Sequence, residues 1–183
     1  MRLYRRTQFG NPILRKTSQQ LSVSEIRSSK IQTLIKDMKY TLEKRKYGIG
    51  LAAPQIGKGI GLIVVGLKAT PTRPNIEKLD MILINPKITK FYGAKAGMWE
   101  ACISGSELYG KAMRYERIRL SWLDEKATKH EKDFKGLIAQ VIQHEIDHLN
   151  GILFVDRVND PKTYITFSEY KKLRKAENSK TKA

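Results

Sequence analysis

Gln143-His144-Glu145-Ile146-Asp147-His148 holds the pattern His-Glu-x-x-His inside a segment whose apolar spacing predicts a buried helix. On an α-helix His144 and His148 lie one turn apart on one face. Two imidazole nitrogens then reach a single divalent ion, while Glu145 stands beside it as a proton carrier. Leu137, Val141, His144 and His148 recur at i, i+4, i+7 and i+11, and Ile138, Ile142 and Leu149 continue the apolar arc around Glu145. Gln140, Gln143, Asp147 and Asn150 are expected on the wet face. Histidines set in an apolar wall need a partner, because an unpaired buried imidazole or carboxylate is costly, and a metal ion is such a partner. The helix is expected over about residues 135–150, ending at a left-handed Gly151.

Outward from this helix, hydrophobic periodicity supplies the other elements. Ile31, Leu34, Ile35, Met38 and Leu42 form the stripe of one amphipathic helix over about 24–46, followed by a Gly/Ala-rich loop over 48–61. Residues 62–67 and 81–85 read as short buried strands, the second closed by Pro86, with a surface loop at 70–74 between them. Residues 88–92 and 117–123 read as further strands, and 130–134 as the hairpin return after a turn at 124–128. Past Asp160-Pro161 a final helix carries Tyr164, Phe167, Tyr170 and Leu173, then a basic tail from about 177 that is expected to be flexible. The predicted fold is α+β, one domain over 1–183. Small antiparallel or mixed β-sheets pack around the central metal-binding helix, with an amphipathic helix on the N-terminal side and a helix at the C-terminal end.

A chain of 183 residues with 40% hydrophobic content can bury one proper core. The longest apolar run, 59–67, is too short to span a bilayer, and the basic start Met1-Arg-Leu-Tyr-Arg-Arg6 has no apolar stretch behind it. Neither export nor a membrane partner is expected. Cys102 is the one cysteine, which excludes an intrachain disulfide and suits a reducing interior, either a bacterial-type cytoplasm or an organellar matrix. The net charge of +17 pulls toward polyanions such as RNA. No helix-turn-helix, zinc-finger, KH or RNP signature accompanies it, so no DNA partner is expected. A non-catalytic RNA-binding or ribosome-binding protein stands as an alternative to an enzyme.

Catalytic zinc-type sites take three protein ligands, so two histidines are insufficient. His144-Glu-x-x-His148-x-x-Gly151 follows the metzincin pattern as far as its glycine, yet Phe154 occupies the third-histidine position. A metallo-endopeptidase would have to use Asp156, Asp160 or Glu169 instead. The remaining candidate is Cys102, whose thiolate binds zinc, iron or cobalt well. A third segment, Gly48-Ile-Gly-Leu-Ala-Ala-Pro-Gln55-Ile-Gly57, holds Gly-x-Gly-x-x-Ala, but it follows a basic helix instead of a strand, which disfavours a dinucleotide site.

In order and spacing, three motifs resemble those of the peptide deformylase family: Gly48 to Gln55, Glu100-Ala-Cys-Ile-Ser104, and Gln143 to Gly151. The resemblance extends over Gly10-Asn-Pro-Ile-Leu-Arg15 and Leu153-Phe-Val-Asp-Arg157, nearly the whole chain. It implies a hydrolase that takes formyl from N-formylmethionyl peptides. The metal ligands would be Cys102, His144 and His148, around a ferrous ion with zinc, nickel or cobalt also accommodated. Glu145 would be the proton carrier, and the Gln55 side chain and the Ile103 backbone N–H the oxyanion donors. Ile49, Gly50, Met98, Glu100, Leu137 and Val141 would bind substrate. Ribosomal RNA is a further implied partner, met through the basic C-terminal end. The chain departs from the family pattern at Ala101, Ile103 and Gly105-Ser106-Glu107.

Overall fold

The computed structural model describes residues 1–45, 48–68, 78–105 and 107–180. In chain order it contains α1 (Val23–Arg27), α2 (Ser29–Glu43), β1 (Gly50–Ala52), β2 (Leu62–Leu67), β3 (Leu79–Ala101), β4 (Leu108–Leu123), β5 (Lys129–Lys135), α3 (Gly136–Leu149), β6 (Ile165–Thr166) and α4 (Phe167–Lys180). The strands join in one sheet of order β1-β2-β3-β4-β5, with β6 added to β4, and every pairing between them is antiparallel. This is the expected α+β architecture. Among the described residues no helix is long and apolar enough to cross a membrane.

Strand β2 explains why its run is apolar without alternation. Leu62 and Val64 join the cluster built by Leu34, Met38 and Leu42 of α2, while Ile63 and Val65 join the cluster built by Ala139, Ile142 and Ile146 of α3. Helices therefore cover both faces of the strand, and every position but the half-buried Gly66 is buried. The helix carrying His-Glu-x-x-His lies against this twice-covered strand.

Several elements differ from the sequence expectation. The single helix over 24–46 is two helices, because Ser28 adopts extended backbone and its hydroxyl accepts from Ile31 N–H as the N-cap of α2. Residue 46 and the loop at 70–74 lie outside the described residues. The Gly/Ala-rich segment contains β1, which pairs with β2 from Gly50 opposite Val65 to Ala52 opposite Ile63, then a 3-10 turn at Ala53–Ile56. Pro86 does not end its strand. β3 runs on to Ala101 through register shifts, the first between Ile84 and Lys87, where the missing proline N–H costs no ladder bond. Asn85, at φ +49°, clamps that kink: Oδ1 accepts from Leu21 N–H at 2.9 Å and Nδ2 donates to Leu21 O at 2.7 Å. At the C-terminal end, Tyr164 precedes the helix and donates its hydroxyl to Val155 O at 3.0 Å. There α4 continues to Lys180, through part of the segment expected to be a flexible tail.

The wet face assigned to α3 needs the largest correction. Gln143 and Asp147 are each 5% exposed. Gln143 bridges α3 to the β4 backbone, accepting from Tyr115 N–H at 3.1 Å and donating to Tyr115 O at 2.8 Å, and Asp147 is paired with Arg114 and Arg157. Polar identity alone does not put these residues in solvent, since buried polar groups are allowed wherever partners satisfy them.

Candidate metal centre

Helix α3 presents His144 and His148 with ring centroids 5.0 Å apart, and β3 ends one residue before Cys102. The thiol, 6% exposed, reaches the fully buried His148, with Sγ 3.1 Å from Nε2. One ligand atom from each of Cys102, His144 and His148 lies within 4.8 Å of the others. Ligands of one tetrahedral ion stand about 3.5 Å apart, so this trio needs little adjustment to hold one. Two neighbouring buried atoms, His148 Nδ1 and Glu145 Oε2, have no hydrogen-bond partner.

Behind the ligands stands a chain of charges. Oε2 of Glu100 accepts from His144 Nδ1 at 2.9 Å. Arg114 grips the same carboxylate twice, from Nε at 2.8 Å and from Nη2 at 2.9 Å, and gives Nη1 to Asp147. Asp147 also takes Arg157, from Nη2 at 2.6 Å and Nε at 3.0 Å. An ionised carboxylate only accepts, so the His144 proton sits on Nδ1 and the Nε2 lone pair is left for an ion.

The electrostatics favour a cation here. Burial pushes the Glu100 carboxyl up, but the hydrogen bond and charge of His144, then those of Arg114, outweigh it and hold the group at about 2. Burial likewise opposes ionisation of Cys102, yet the His148 charge and the two imidazole contacts bring the thiol well below its ordinary range, into the ligand form. Burial alone would lower His144. Cys102 and Glu100 reverse that and raise it, so the pocket draws positive charge, which an ion supplies as well as a proton does. Glu145, 4% exposed, is pushed upward chiefly by burial, as suits a group that carries a proton.

The flanking motif is fitted to these residues. A Cβ on Gly50 would lie 2.4 Å from Oε1 of Glu145, so only glycine lets β1 lie against that carboxylate. Gln55 is 1% exposed; its Oε1 accepts from Ala52 N–H at 2.8 Å, which turns the amide so that Nε2 donates to Cys102 Sγ at 3.4 Å. Ser104 N–H donates to the same sulfur at 3.4 Å, and Ile103 between them is half-buried against the α2 side of the core. Of the expected substrate residues, Ile49 and Leu137 are half-buried on the α3 side of the core, Val141 is buried and Met98 is half-buried. Glu100 sits behind His144 with both oxygens engaged, which places it in support of a ligand instead of in a substrate groove.

The carboxylates that an endopeptidase would need are committed elsewhere. Asp156 pairs with Arg15, Asp160 accepts from Lys162 N–H at 3.0 Å, and Glu169 pairs with Lys172 at 2.7 Å. Sequence reasoning missed Arg114. The available signal was its inward parity in β4, where Ala112, Ile118 and Leu120 are fully buried and a lone arginine is 3% exposed. Phe154, which stands in the third-histidine position, is not expected from the sequence to pack on a ligand, yet its buried ring lies 6.3 Å from the His144 imidazole, nearly parallel at 23°.

Known proteins match this arrangement. The polypeptide deformylase family profile matches residues 4–164. A peptide deformylase of Leptospira biflexa is 41% identical over 162 residues, 85% of this chain and 87% of the relative. Peptide deformylase 2 of a Nostoc species is 33% identical over 167 residues, 91% and 92% of the two chains. Among solved structures, the Met-Ala-Ser-bound class I type b peptide deformylase of Acinetobacter baumannii superposes with a TM-score of 0.81 at 30% identity, covering 86% of this chain and 99% of that one. With a cysteine and two helical histidines gathered around Glu145 and a profile match over most of its length, the chain belongs to the polypeptide deformylase family.

Proposed function

We propose that the chain, acting as one catalytic domain, hydrolyses the formyl group from N-formylmethionyl peptides and releases formate. The observation that carries this is the gathering of Cys102, His144 and His148 with Glu145 buried beside them. Cys102, His144 and His148 would hold one divalent ion, taken as ferrous iron, with zinc, nickel or cobalt suited to the same donors. Such an ion supplies Lewis acidity, bringing the pKa of a bound water toward neutrality.

The protein's own groups do the rest. Glu145 accepts the proton of the attacking water and delivers it to the departing amine, so its unpartnered Oε2 is the atom that works. Gln55 Nε2 and the Ile103 backbone N–H donate to the negative charge that develops on the formyl oxygen. Ile49, Met98, Leu137 and Val141 form the apolar receptor for an unbranched methionine side chain, and Gly50, on the edge strand β1, meets the peptide through its backbone. The activity is assigned to a reducing interior, a bacterial-type cytoplasm or an organellar matrix, where a lone buried thiol stays reduced. Lys171, Lys172, Arg174 and Lys175 on α4 offer ribosomal RNA a basic face, and unchanged ribosome co-sedimentation after deleting residues beyond Ala176 would dispose of that docking.

The test is formate release from a formyl-Met peptide by metal-loaded protein. Glu145→Gln is expected to lower kcat by at least about a hundredfold while the metal is retained. Release of internal peptide fragments, or metal-loaded protein that frees no formate, would refute the proposal.

A further inference from the structure

Residues 7–9 run beside both segments that furnish the site with oxyanion donors. Thr7 N–H donates to the carbonyl of Gln55 at 2.7 Å, and Phe9 N–H donates to the carbonyl of Ser104 at 2.9 Å. Gln55 follows the edge strand β1, whereas Cys102 to Ser104 follow β3, separated from β1 in the sheet by β2. The direct side-chain link between them is one long contact, Gln55 Nε2 to sulfur at 3.4 Å. Two backbone bonds from a third segment fix that separation more firmly.

The Phe9 ring seats the crossing. A Cβ on Gly105 would lie 2.9 Å from its Cζ and 3.1 Å from its Cε2, so the ring rests on the Gly105 backbone. Its centroid is 6.2 Å from that of Phe154, the ring that packs against His144. One side chain thereby bears on the turn carrying Cys102 and, through a single intervening ring, on a second ligand. Gly105 is one of the residues at which this chain departs from the family pattern.

We propose that Thr7 and Phe9 are positioning residues that set the Gln55 amide against the Cys102–Ser104 turn, Phe9 filling the space a larger residue 105 would occupy. The proposal rests on the deformylase reading. Oxyanion donors act only when aimed at the developing charge, and a displacement of about 1 Å costs up to about a hundredfold in rate. Deleting the ring is therefore expected to reduce turnover without loosening substrate.

The experiment compares Phe9→Ala, Phe9→Leu, Gly105→Leu and the double variant Phe9→Ala/Gly105→Leu. It measures kcat and KM per bound metal, and the rate at which iodoacetamide alkylates Cys102 in metal-stripped protein. Phe9→Ala and Gly105→Leu should each lower kcat about tenfold with KM within about twofold, Phe9→Leu should keep most of the activity, and the double variant should exceed either single one. Cys102 alkylation should accelerate in Phe9→Ala and slow again in the double variant. Unchanged kcat per metal in Phe9→Ala, or losses in the double variant that simply multiply, would overturn the proposal. If Phe9→Ala does not fold, Phe9→Leu with Gly105→Ala makes the same comparison. If the wild-type protein releases no formate, the deformylase reading fails, and the alkylation rates alone decide positioning.

Discussion

Oε2 of Glu100 lies 2.9 Å from Nδ1 of His144, and the same carboxylate accepts two hydrogen bonds from Arg114. This arrangement holds the imidazole in one tautomer and one ring orientation, with Nε2 toward Cys102 and His148. Glu100→Gln keeps the shape but leaves one acceptor oxygen for donors that now use two. Affinity for the metal should fall by about 10-fold to 100-fold, read by competition with a chelator. Wild-type affinity in this variant would show that Glu100 does not orient the ligand.

Gly50 makes a similar test of Glu145 without touching the carboxylate itself. The Cβ of an alanine there would stand 2.4 Å from Oε1 and 2.7 Å from Cγ, so Glu145 must move or β1 must leave its pairing with β2. Gly50→Ala should lower kcat by about a hundredfold, the scale of a 1 Å misplacement, while a metal assay finds full occupancy. Normal turnover in Gly50→Ala would mean that the Glu145 position tolerates displacement.

The parts of the fold legible in the sequence were those where one physical demand acts alone. Leu62–Leu67 must be apolar on both sides because helices cover both faces, and α3 must place two histidines on one face to share an ion. The site was legible to the extent that its residues sit in short motifs. The rest depended on demands from distant residues. Nothing local announces that Gly50 yields space to Glu145, that Asp147 is turned inward by arginines at positions 114 and 157, or that Phe9 lies over Gly105. Composition also misread Gly50–Ala52 as loop, since glycine and alanine are poor strand formers, and a close approach outweighed that preference.

Arg114 joins two buried carboxylates and should be the costlier of the two arginines to lose. Its side chain is 3% exposed and serves both Glu100 and Asp147, whereas that of Arg157 is 36% exposed and serves an Asp147 that Arg114 still holds. Arg114→Met leaves buried Glu100 without a guanidinium partner and Asp147 with Arg157 alone, and should destabilise the fold by about 3–5 kcal/mol, and Arg157→Met by about 1 kcal/mol. Urea unfolding of the two variants decides the ranking, and equal midpoints would contradict it.

Asp133 gives a pH dependence separate from the metal centre. Facing Arg119 across the β4–β5 register, it accepts from Arg119 Nε at 2.7 Å and is also paired with Arg117. Those two hydrogen bonds are the main cause that lowers its carboxyl from an ordinary 3.8 to about 2. The folded value is the lower one, so the stabilisation is complete above 3.8 and disappears as pH falls through that value toward about 2. Asp133→Asn removes it at every pH. In metal-stripped protein the urea midpoint of the wild type should exceed that of the variant at pH 5, and the gap should narrow on acidification toward pH 3. Both arginines are about half exposed, so the gap itself is small and its trend carries the test. A gap that widens toward acid would require the folded carboxyl to titrate above the unfolded one, contrary to its two guanidinium partners.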